Sequence, residues 1–359
     1  MWFHPNILVI FSLLLSFVIV YVSVPSIVKV AHYKQLFDEP GRRKSHHHST
    51  PNLGGIAIFA GIIIATGLFA DLTFSRELMQ VLVAMVVVFF IGIKDDILII
   101  APAKKLYGEI LAAIIIVILG DIRFTSLHGF FGIYEINYLS SIFLTCFVVI
   151  VLINSFNLID GIDGLATGIG IVVSLTFGIW FYLTGNHNYA ILSAALLGAL
   201  LAFFGFNVFG KENKIFMGDT GSLILGLIMS VLVIKFNEAN ITYNGPYTIS
   251  SAPAVSFGIL IVPLFDTLRV FILRILRGQS PFNPDKNHLH HRVLKLGFNH
   301  VESTVVLSSV NIMFILMVLT CQSYGVISLM VLNLALASLF SIVNELLIRK
   351  QKLRNHAHA

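Results

Sequence analysis

The sequence predicts an all-α integral membrane protein with about ten to eleven transmembrane helices. Hydrophobic residues make up 57% of the 359 residues and charged residues only 11%, whereas a soluble domain carries roughly 25% charged residues. The mean hydropathy is +0.90, so lipid rather than polar side chains must cover most of the surface. The formal net charge of +5 is better explained by charges that orient a membrane protein than by a nucleic-acid partner.

About eleven apolar runs approach the roughly 20 residues that a transmembrane helix needs. They are expected to form one polytopic domain over residues 1–359. The first run lacks a preceding basic region and is therefore interpreted as a retained span rather than a signal peptide. The predicted spans lie near 7–31, 53–70, 78–93, 106–120, 139–156, 165–184, 189–209, 221–236, 252–272, 302–320 and 326–347.

The loops between these spans fall into two sets when the spans are threaded alternately through a bilayer. All but three of the 23 Lys and Arg residues lie in or beside the first set, and the exceptions are Arg76, Arg123 and Lys235. The positive-inside rule therefore predicts that the first set faces the cytoplasm. Its longest member, 273–301, is expected to be a polar loop with one short helix. The first set comprises 32–52, 94–105, 154–164, 210–220, 273–301 and the C-terminal tail, and the second comprises 71–77, 121–138, 185–188, 237–251 and 321–325.

Carboxylates collect at the predicted cytoplasmic ends of the spans. Ionisable groups at membrane depth are costly and need a reason. A single carboxylate could cap a helix or balance a lysine, but here four separate loops bring carboxylates to the same face. The adjacent pair in I-K-D-D should point in different directions on a helix and serve two tasks. The six acids at this face are Asp95, Asp96, Asp160, Asp163, Asp219 and Asp266.

The segment N-S-F-N-L-I-D-G-I-D-G-L-A-T-G, residues 154–168, is the strongest local signal. Asp160 and Asp163 are three residues apart, so a helical turn would place them on one face, and Asn157 could join that face. The glycines allow backbone or ligand to approach closely. A glycine-rich helix-packing seam is the alternative, but it does not account for the interleaved acids and amides.

The segment K-I-F-M-G-D-T-G-S, residues 214–222, leads into an apolar span. Asp219 is expected near the N-terminus of that helix, where the helix dipole favours a carboxylate. A carboxylate there is also well placed to hold Mg²⁺ beside phosphate oxygens. The simpler alternative is that Asp219 or Thr220 only caps the helix.

The segment D-K-N-H-L-H-H-R, residues 285–292, has three histidines in four positions. Such a group could bind zinc. However, no cysteine is nearby, and Lys286 and Arg292 suit an anion better than a metal, so phosphate contact is preferred and zinc remains the alternative. The run of histidines at 46–48 follows basic residues and is explained equally well as a solvated juxtamembrane loop.

Together these groups suit one kind of chemistry. The chain has no Walker A loop, no dinucleotide-binding fingerprint and no nucleophile elbow. Carboxylates, amides, cations and histidines at one membrane face suit a metal-assisted displacement at phosphorus between a soluble diphosphate donor and a membrane acceptor. A secondary transporter is the alternative from another class. It would place charges at the bilayer centre in paired broken helices, whereas these acids lie near one face.

The motifs and their order resemble those of the polyprenyl-phosphate N-acetylhexosamine-1-phosphate transferases, glycosyltransferase family 4. The resemblance runs from R-K-S-H…T-P-N-L-G-G-I-A-I-F (43–59) through P-L-F-D-T-L-R-V (263–270) to H-L-H-H (288–291). It implies a multi-pass protein of the bacterial inner membrane, often dimeric, with a site facing the cytoplasm. It also implies Mg²⁺, with Mn²⁺ as a substitute, and two substrates, a UDP-N-acetylhexosamine and undecaprenyl phosphate.

The resemblance also implies roles for single residues. Asp219 looks like the main Mg²⁺ ligand with Asn157 as a second ligand, and Asp95 and Asp96 match a pair that acts on the lipid phosphate. Asp160 matches a carboxylate beside the donor diphosphate, acting as nucleophile or positioning group. The positions that match residues near the uridine are Asp163, Asn207 and Phe216. The positions that match groups around the phosphates and the sugar are Lys105, His288, His290 and His291.

The histidine motif indicates a branch within this family. H-L-H-H preceded by Asp285 is similar to the N-acetylglucosamine-type transferases, whereas the muramyl-pentapeptide branch usually has three consecutive histidines followed by Phe-Glu. The predicted reaction is transfer of N-acetylglucosamine (GlcNAc) 1-phosphate from its UDP conjugate to undecaprenyl phosphate, releasing UMP and starting envelope polysaccharide synthesis. A phospho-N-acetylmuramoyl-pentapeptide transferase is the alternative.

Overall fold

The protein is a bundle of helices with one small hairpin, seen in a computed structural model. The structure describes residues 4–36, 50–73, 75–98, 100–279 and 287–357. A π-helical turn, Ile115–Leu119, directly follows the helix Pro102–Ile114. The helices are α1 (Pro5–Lys34), α2 (Gly54–Phe69), α3 (Arg76–Leu98), α4 (Pro102–Ile114), α5 (Tyr138–Ile159), α6 (Leu165–Leu183), α7 (His187–Phe209), α8 (Gly218–Thr242), α9 (Ala252–Ile259), α10 (Ile261–Leu276), α11 (Leu289–Lys295), α12 (His300–Thr320) and α13 (Val326–Ala357).

Seven helices within the described ranges are long and apolar enough to cross a membrane: α1, α5, α6, α7, α8, α12 and α13. This confirms an integral membrane protein built mainly of helices. The other predicted spans also coincide with helices, but α2 is a shorter apolar helix, and α3 and α4 carry charged residues. The total of ten or eleven spans therefore stays a prediction.

The predicted span 252–272 is not one helix, because it breaks at Leu260 between α9 and α10. Pro263 lacks a backbone N–H, so it cannot donate the helical hydrogen bond to the carbonyl of Ile259. The buried side chain of Asn311 on α12 instead donates to that carbonyl at 3.0 Å. A side chain of a neighbouring helix therefore stabilises the break inside the bundle.

The predicted loop 121–138 contains regular structure, although the protein is built mainly of helices. This segment contains an antiparallel hairpin of β1 (Ser126–Phe130) and β2 (Ile133–Glu135). The two strands are joined by Phe131 and Gly132, which both have positive φ angles, 52° and 78°. A two-residue turn with two positive φ angles matches the twist of paired strands, so aromatic and β-branched residues on either side of it can pair.

Helix α8 lies at the centre of the bundle, and 89% of an apolar stretch of 18 of its residues is buried. Neighbouring helices approach its backbone through glycine. A Cβ atom on Gly92 of α3 would lie 2.4 Å from the Cα of Thr220, and one on Gly55 of α2 would lie 2.2 Å from the amide nitrogen of Gly221. These contacts are possible only without side chains, and they hold α2 and α3 against the N-terminal turn of α8.

A similar close contact joins α1 and α7 and leads to a test of the packing. A Cβ on Gly198 would lie 2.1 Å from the carbonyl oxygen of Leu13, whereas one on Gly205 of the same helix would meet nothing within 4 Å. We expect Gly198→Ala to force α1 away from α7 and to cost about 1–3 kcal/mol of stability, as overpacking does. Gly205→Ala should be neutral or stabilising, because alanine favours helix. Thermal unfolding in detergent would compare the two, and equal midpoints would contradict this packing.

Candidate active site

The four sequence motifs meet at one end of the bundle, where α3 and α5 end and α8 begins. We call this region the polar end and define it by Asp96, Lys105, Asn157, Asp219 and His290. The predicted convergence of the acidic and histidine-rich loops is therefore found in the described part of the chain. Side chains from α3, α4, α5, α8 and α11 contribute to it.

Asp96 closes the N-terminus of α8. Its carboxylate accepts hydrogen bonds from the backbone N–H of Asp219 at 2.7 Å, the N–H of Thr220 at 3.0 Å and the hydroxyl of Thr220 at 2.5 Å. Helix α8 has no capping side chain of its own, so the alternative that Asp219 or Thr220 merely caps it is wrong. Because Asp96 fills this role from α3, the carboxylate of Asp219 is available for other partners.

Asp219 sits in the first turn of α8 and binds two side chains from other helices. Its Oδ1 accepts a hydrogen bond from Nζ of Lys105 and another, at 2.5 Å, from Nδ2 of Asn157. Asn157 also donates to the hydroxyl of Ser222 at 2.9 Å. The predicted place of Asp219 at the helix N-terminus is confirmed, whereas ligation of a metal by Asp219 and Asn157 stays a prediction. About a third of the Asp219 side chain, 32%, remains exposed.

Asp95 and Asp96 point to different partners, as expected for adjacent residues on a helix. Asp95 Oδ1 accepts from the backbone N–H of Ile100 at 2.8 Å, and its Oδ2 lies 3.3 Å from Nζ of Lys105. Lys105 therefore lies between Asp95 and Asp219 and neutralises both. The action of the pair on a lipid phosphate stays a prediction, since Asp96 uses both oxygens to hold α8.

Asp160 and Asp163 do not share a helical face, so that prediction is wrong. Helix α5 ends at Ile159, and Gly164, with φ at +81°, begins α6 after a turn. Burial, together with the negative charges of Asp219 and Asp96, raises the pKa of Asp160 well above its usual range. Asp160 therefore belongs to the polar end, with Asp219 and Asp96.

Asp163, unlike Asp160, pairs with cations outside the polar end. Its Oδ2 accepts from Nζ of Lys214 at 2.7 Å and lies 3.6 Å from Nδ1 of His300. Burial acts to raise the pKa of Asp163, but His300 and Lys214 outweigh burial and hold that pKa below its usual value. The Asp163–Lys214 pair ties the turn after α5 to the loop before α8.

Asn207 and Phe216 shape this same loop. The Asn207 side chain is buried; it accepts from the N–H of Gly164 at 2.7 Å and donates to the carbonyl of Ile215 at 2.9 Å. The amide of Phe216 donates to the carbonyl of Pro51 at 2.8 Å. The ring of Phe216 lies 5.8 Å from the Lys214 ammonium. Asn207 thus anchors two loops, and contact of either residue with a nucleoside stays a prediction.

Two of the three histidines of the H-L-H-H motif are buried against the polar end, with His288 at 4% and His290 at 2% exposure. Their rings are parallel, with centroids 5.7 Å apart, and the His291 ring lies 4.2 Å from that of His290. Burial, aided by the charge of His291, lowers the pKa of His290 to about 3, so its ring is neutral. Asp285, which precedes the motif, lies outside the described residues.

Zinc finds no support in the part of the chain that the structure describes. No group of three or more His, Cys, Asp or Glu side chains there could hold a metal. Instead, His288 Nδ1 lies 2.9 Å from Oδ2 of Asp266. The histidines therefore do not converge on one point, as zinc ligands must.

Arg292 lies in the same short helix as His290, but its side chain contacts α13. Its guanidinium donates to Oε2 of Glu345 on α13 at 2.9 Å and to the Ser341 hydroxyl at 3.3 Å. Its predicted contact with substrate stays a prediction that this placement does not support. The sequence held no signal for this partner, because Glu345 lies far along the chain within an apolar span.

Three polar residues of this region have no predicted role in the site, although Asp266 is one of the six acids expected at this face. Asp266 binds His288, and Lys214 binds Asp163. Glu109 is buried at 2% exposure and accepts from Nδ2 of Asn154 at 2.5 Å. A charged residue inside an apolar run is the signal that could have identified Asp266 and Glu109.

The turn after α5 also contacts the histidine motif through a glycine. A Cβ on Gly161 would lie 2.5 Å from Nε2 of His290. We expect Gly161→Ala to displace the imidazole and to lower turnover about 10²-fold, because small displacements of reacting groups are costly. Steady-state kinetics would measure this effect, with the open position Gly205→Ala as the control. Unchanged kcat and KM in Gly161→Ala would show that His290 has no part in the site.

The residues of the polar end fit a Mg²⁺ ion that has few protein ligands. Burial and, after it, the negative charges of Asp219 and Asp96 raise the pKa of Asp160, and a divalent cation bound beside Asp219 would offset this rise. Mg²⁺ often takes only one or two carboxylates and completes its shell with water and phosphate oxygens.

Comparison with known proteins agrees with this arrangement. The family model for glycosyl transferase family 4 matches residues 78–237, from α3 through α8. The undecaprenyl-phosphate alpha-N-acetylglucosaminyl 1-phosphate transferase of Escherichia coli strain K12 is 31% identical over 287 residues, covering 78% of this chain and 75% of that protein. The decaprenyl-phosphate N-acetylglucosaminephosphotransferase of Mycobacterium tuberculosis is 33% identical over 290 residues, covering 73% and 69%. The chain therefore belongs to glycosyl transferase family 4, a family of enzymes.

Proposed function

We propose that this enzyme transfers GlcNAc 1-phosphate from UDP-GlcNAc to undecaprenyl phosphate and releases UMP. The observation that carries the proposal is the meeting of Asp219, Asn157, Lys105 and Asp160 at one end of a membrane bundle. The names of the two relatives described above support both the transferred group and the polyprenyl acceptor. In this reaction a phosphate oxygen of the lipid forms a bond to the β-phosphorus of the donor, and the bond from that phosphorus to UMP breaks.

Asp219 and Asn157 are the residues that would hold Mg²⁺. When bound, the ion would neutralise charge on the donor diphosphate. Lys105 supplies a second positive charge next to Asp219 and is held there by Asp95. Asp160 would orient an attacking phosphate or act as nucleophile. Both roles lead to the same products.

The donor nucleoside would lie toward the loop that precedes α8. Asp163 and Lys214 pair there, and Asn207 holds the loop by donating to the carbonyl of Ile215. Phe216 offers an aromatic ring that could stack on a base. The histidine motif, whose His290 packs against Gly161, would contact the sugar phosphate.

The membrane placement follows from the same charges. The polar end would face the cytoplasm of a bacterial inner membrane, because the loops at this end carry most of the Lys and Arg residues. UDP-sugars are water-soluble, and the acceptor phosphate lies at the membrane surface. A site at helix ends brings the two substrates together without moving a charge through lipid.

Two alternatives predict different results. A phospho-N-acetylmuramoyl-pentapeptide transferase would use the same chemistry with another donor, and the H-L-H-H motif and the GlcNAc-transferring relatives disfavour it. A secondary transporter would need ionisable groups near the bilayer centre, whereas Asp96, Lys105 and Asp219 lie in the first or last turns of their helices.

Release of UMP by the purified protein tests the proposal. The assay contains Mg²⁺, undecaprenyl phosphate and one member of a panel of UDP-sugars. We expect release only with UDP-GlcNAc and only when the lipid is present. Release with UDP-N-acetylmuramoyl-pentapeptide instead would favour the alternative branch. No release with any donor, from protein shown to be folded, would contradict the proposed function.

A further inference from the structure

Asp266 is a buried charged residue to which the proposed mechanism gives no role. It lies in α10 with 1% of its surface exposed. Its Oδ1 accepts from the backbone N–H of Leu289 at 2.9 Å and from Nη2 of Arg269 at 3.0 Å. Its Oδ2 lies 2.9 Å from Nδ1 of His288. A carboxylate in such a place is costly unless it is fully paired, and this one has a partner on each oxygen.

These contacts divide into two kinds. Arg269 also donates to the carbonyl of Asn287, so Oδ1 of Asp266, Arg269 and the N–H of Leu289 together tie the start of α11 to α10. The contact between Oδ2 and His288 is not needed for that anchoring. It acts on the orientation and protonation pattern of a single imidazole.

A carboxylate on Nδ1 selects one tautomer of the ring. Because a carboxylate is only an acceptor, Nδ1 of His288 must carry the proton and donate it, and Nε2 is then the nitrogen that can face a substrate. The His288 ring is parallel to that of His290, which rests on Gly161 next to Asp160. The oriented ring therefore belongs to the polar end.

We propose that Asp266 is a positioning residue that fixes the tautomer and ring plane of His288, so that Nε2 of His288 meets the sugar phosphate of the donor. This role rests on the proposed function. The carboxylate does not touch the substrate; it acts through His288. Arg269 donates to the other oxygen of the same carboxylate and so supports the same arrangement.

A double-mutant cycle on UMP release tests the proposal. In Asp266→Asn, the amide NH₂ replaces one carboxylate oxygen. It must face either His288 or the two donors, Arg269 and the N–H of Leu289, so one of these contacts becomes donor against donor and is lost. We expect this change to lower kcat about 10²-fold, with KM for UDP-GlcNAc nearly unchanged, since loss of the orienting acid leaves the wrong tautomer. In a His288→Ala background the same change should cost no more than about twofold, because residues that act as a unit are not additive.

Full additivity in that cycle would overturn the proposal, because Asp266 would then act independently of His288. Glu238→Gln is the matched control. Glu238 is a carboxylate near the hairpin that accepts from the N–H of Thr125 at 2.8 Å and from its hydroxyl at 2.7 Å. It lies outside the polar end, so its loss should leave kcat unchanged.

A second measurement needs no substrate and therefore separates this proposal from the proposed function. Nitrogen NMR of histidine-labelled protein in detergent, compared with His288→Ala, identifies the His288 signals. We expect Nδ1 of His288 to carry the proton in the native protein. In Asp266→Asn, we expect the proton to lie on Nε2 instead. A native His288 with an unprotonated Nδ1 would overturn the assignment, even if UMP release proceeds. Protonated Nδ1 in a protein that releases no UMP would refute the proposed function alone.

Discussion

Asp219→Asn is expected to lower UMP release about 10³-fold while the protein stays folded, because loss of a metal-ligating charge removes several kcal/mol of transition-state stabilisation. Asparagine can still accept hydrogen bonds from Lys105 and Asn157, so the packing around the first turn of α8 should persist. The residual exposure of Asp219, 32%, means that the change does not bury an unpaired group. Turnover at saturating Mg²⁺, together with thermal unfolding, measures both parts of this expectation.

Asp121→Asn is the matched control for that change. Asp121 is 72% exposed and pairs with Arg123 at the end of the bundle that carries the hairpin. Its φ of 51° suits asparagine equally well, and an exposed ion pair contributes little stability. We expect unchanged turnover in this variant. Full activity in Asp219→Asn would refute the assignment of Asp219 as the metal ligand.

Lys105→Met is expected to lower kcat/KM about 10²-fold, because in the proposed reaction its ammonium would donate where negative charge develops. Lys105 neutralises Asp95 and Asp219. Its removal leaves those carboxylates to repel each other and the donor diphosphate. We expect KM for the UDP-sugar to rise and the requirement for Mg²⁺ to increase, and a Mg²⁺ titration of initial rates measures both effects.

The adjacent Lys104 provides a control within the same helical turn. Lys104 is exposed, whereas Lys105 is half-buried among carboxylates. Lys104→Met removes the same charge from the same helix end, so it should change kcat/KM less than twofold. Equal losses in the two variants would mean that Lys105 acts only through the general positive charge of this membrane face.

The sequence could predict those parts of the site that depend on local chemistry and on membrane physics. Asp219 follows a glycine at the start of an apolar run, so its place in the first turn of α8 was readable from the chain. The asymmetry of Lys and Arg grouped the acidic loops at one face. Their meeting in the structure, through Asn157 and Lys105 on Asp219, agrees with that grouping.

The remaining features depend on contacts between distant segments. Spacing alone placed Asp160 and Asp163 on one helical face, but the flanking glycines end α5 first, and Lys214 then draws Asp163 away. No local pattern shows that Asp96 of α3 caps α8 or that Arg292 binds Glu345 of α13. These pairings arise from packing, which a single sequence does not encode in its periodicity.

The hairpin and the helix break were missed for a different reason. Hydropathy treats 252–272 as one apolar run, although Pro263 removes a helical hydrogen bond that Asn311 of α12 replaces. Likewise, 121–138 was assigned as a loop because its polar residues separate two spans, although its aromatic residues flank a turn with positive φ angles. Both features have local signals that mean hydropathy does not reflect.

The central claim is that the group transferred is the sugar phosphate and not the sugar alone. The most direct test follows a ³²P label at the β-phosphorus of UDP-GlcNAc during incubation of the purified protein with undecaprenyl phosphate and Mg²⁺. We predict that the label moves into the lipid fraction in step with release of unlabelled UMP. Label that stays in water-soluble UDP while sugar enters the lipid would contradict the account.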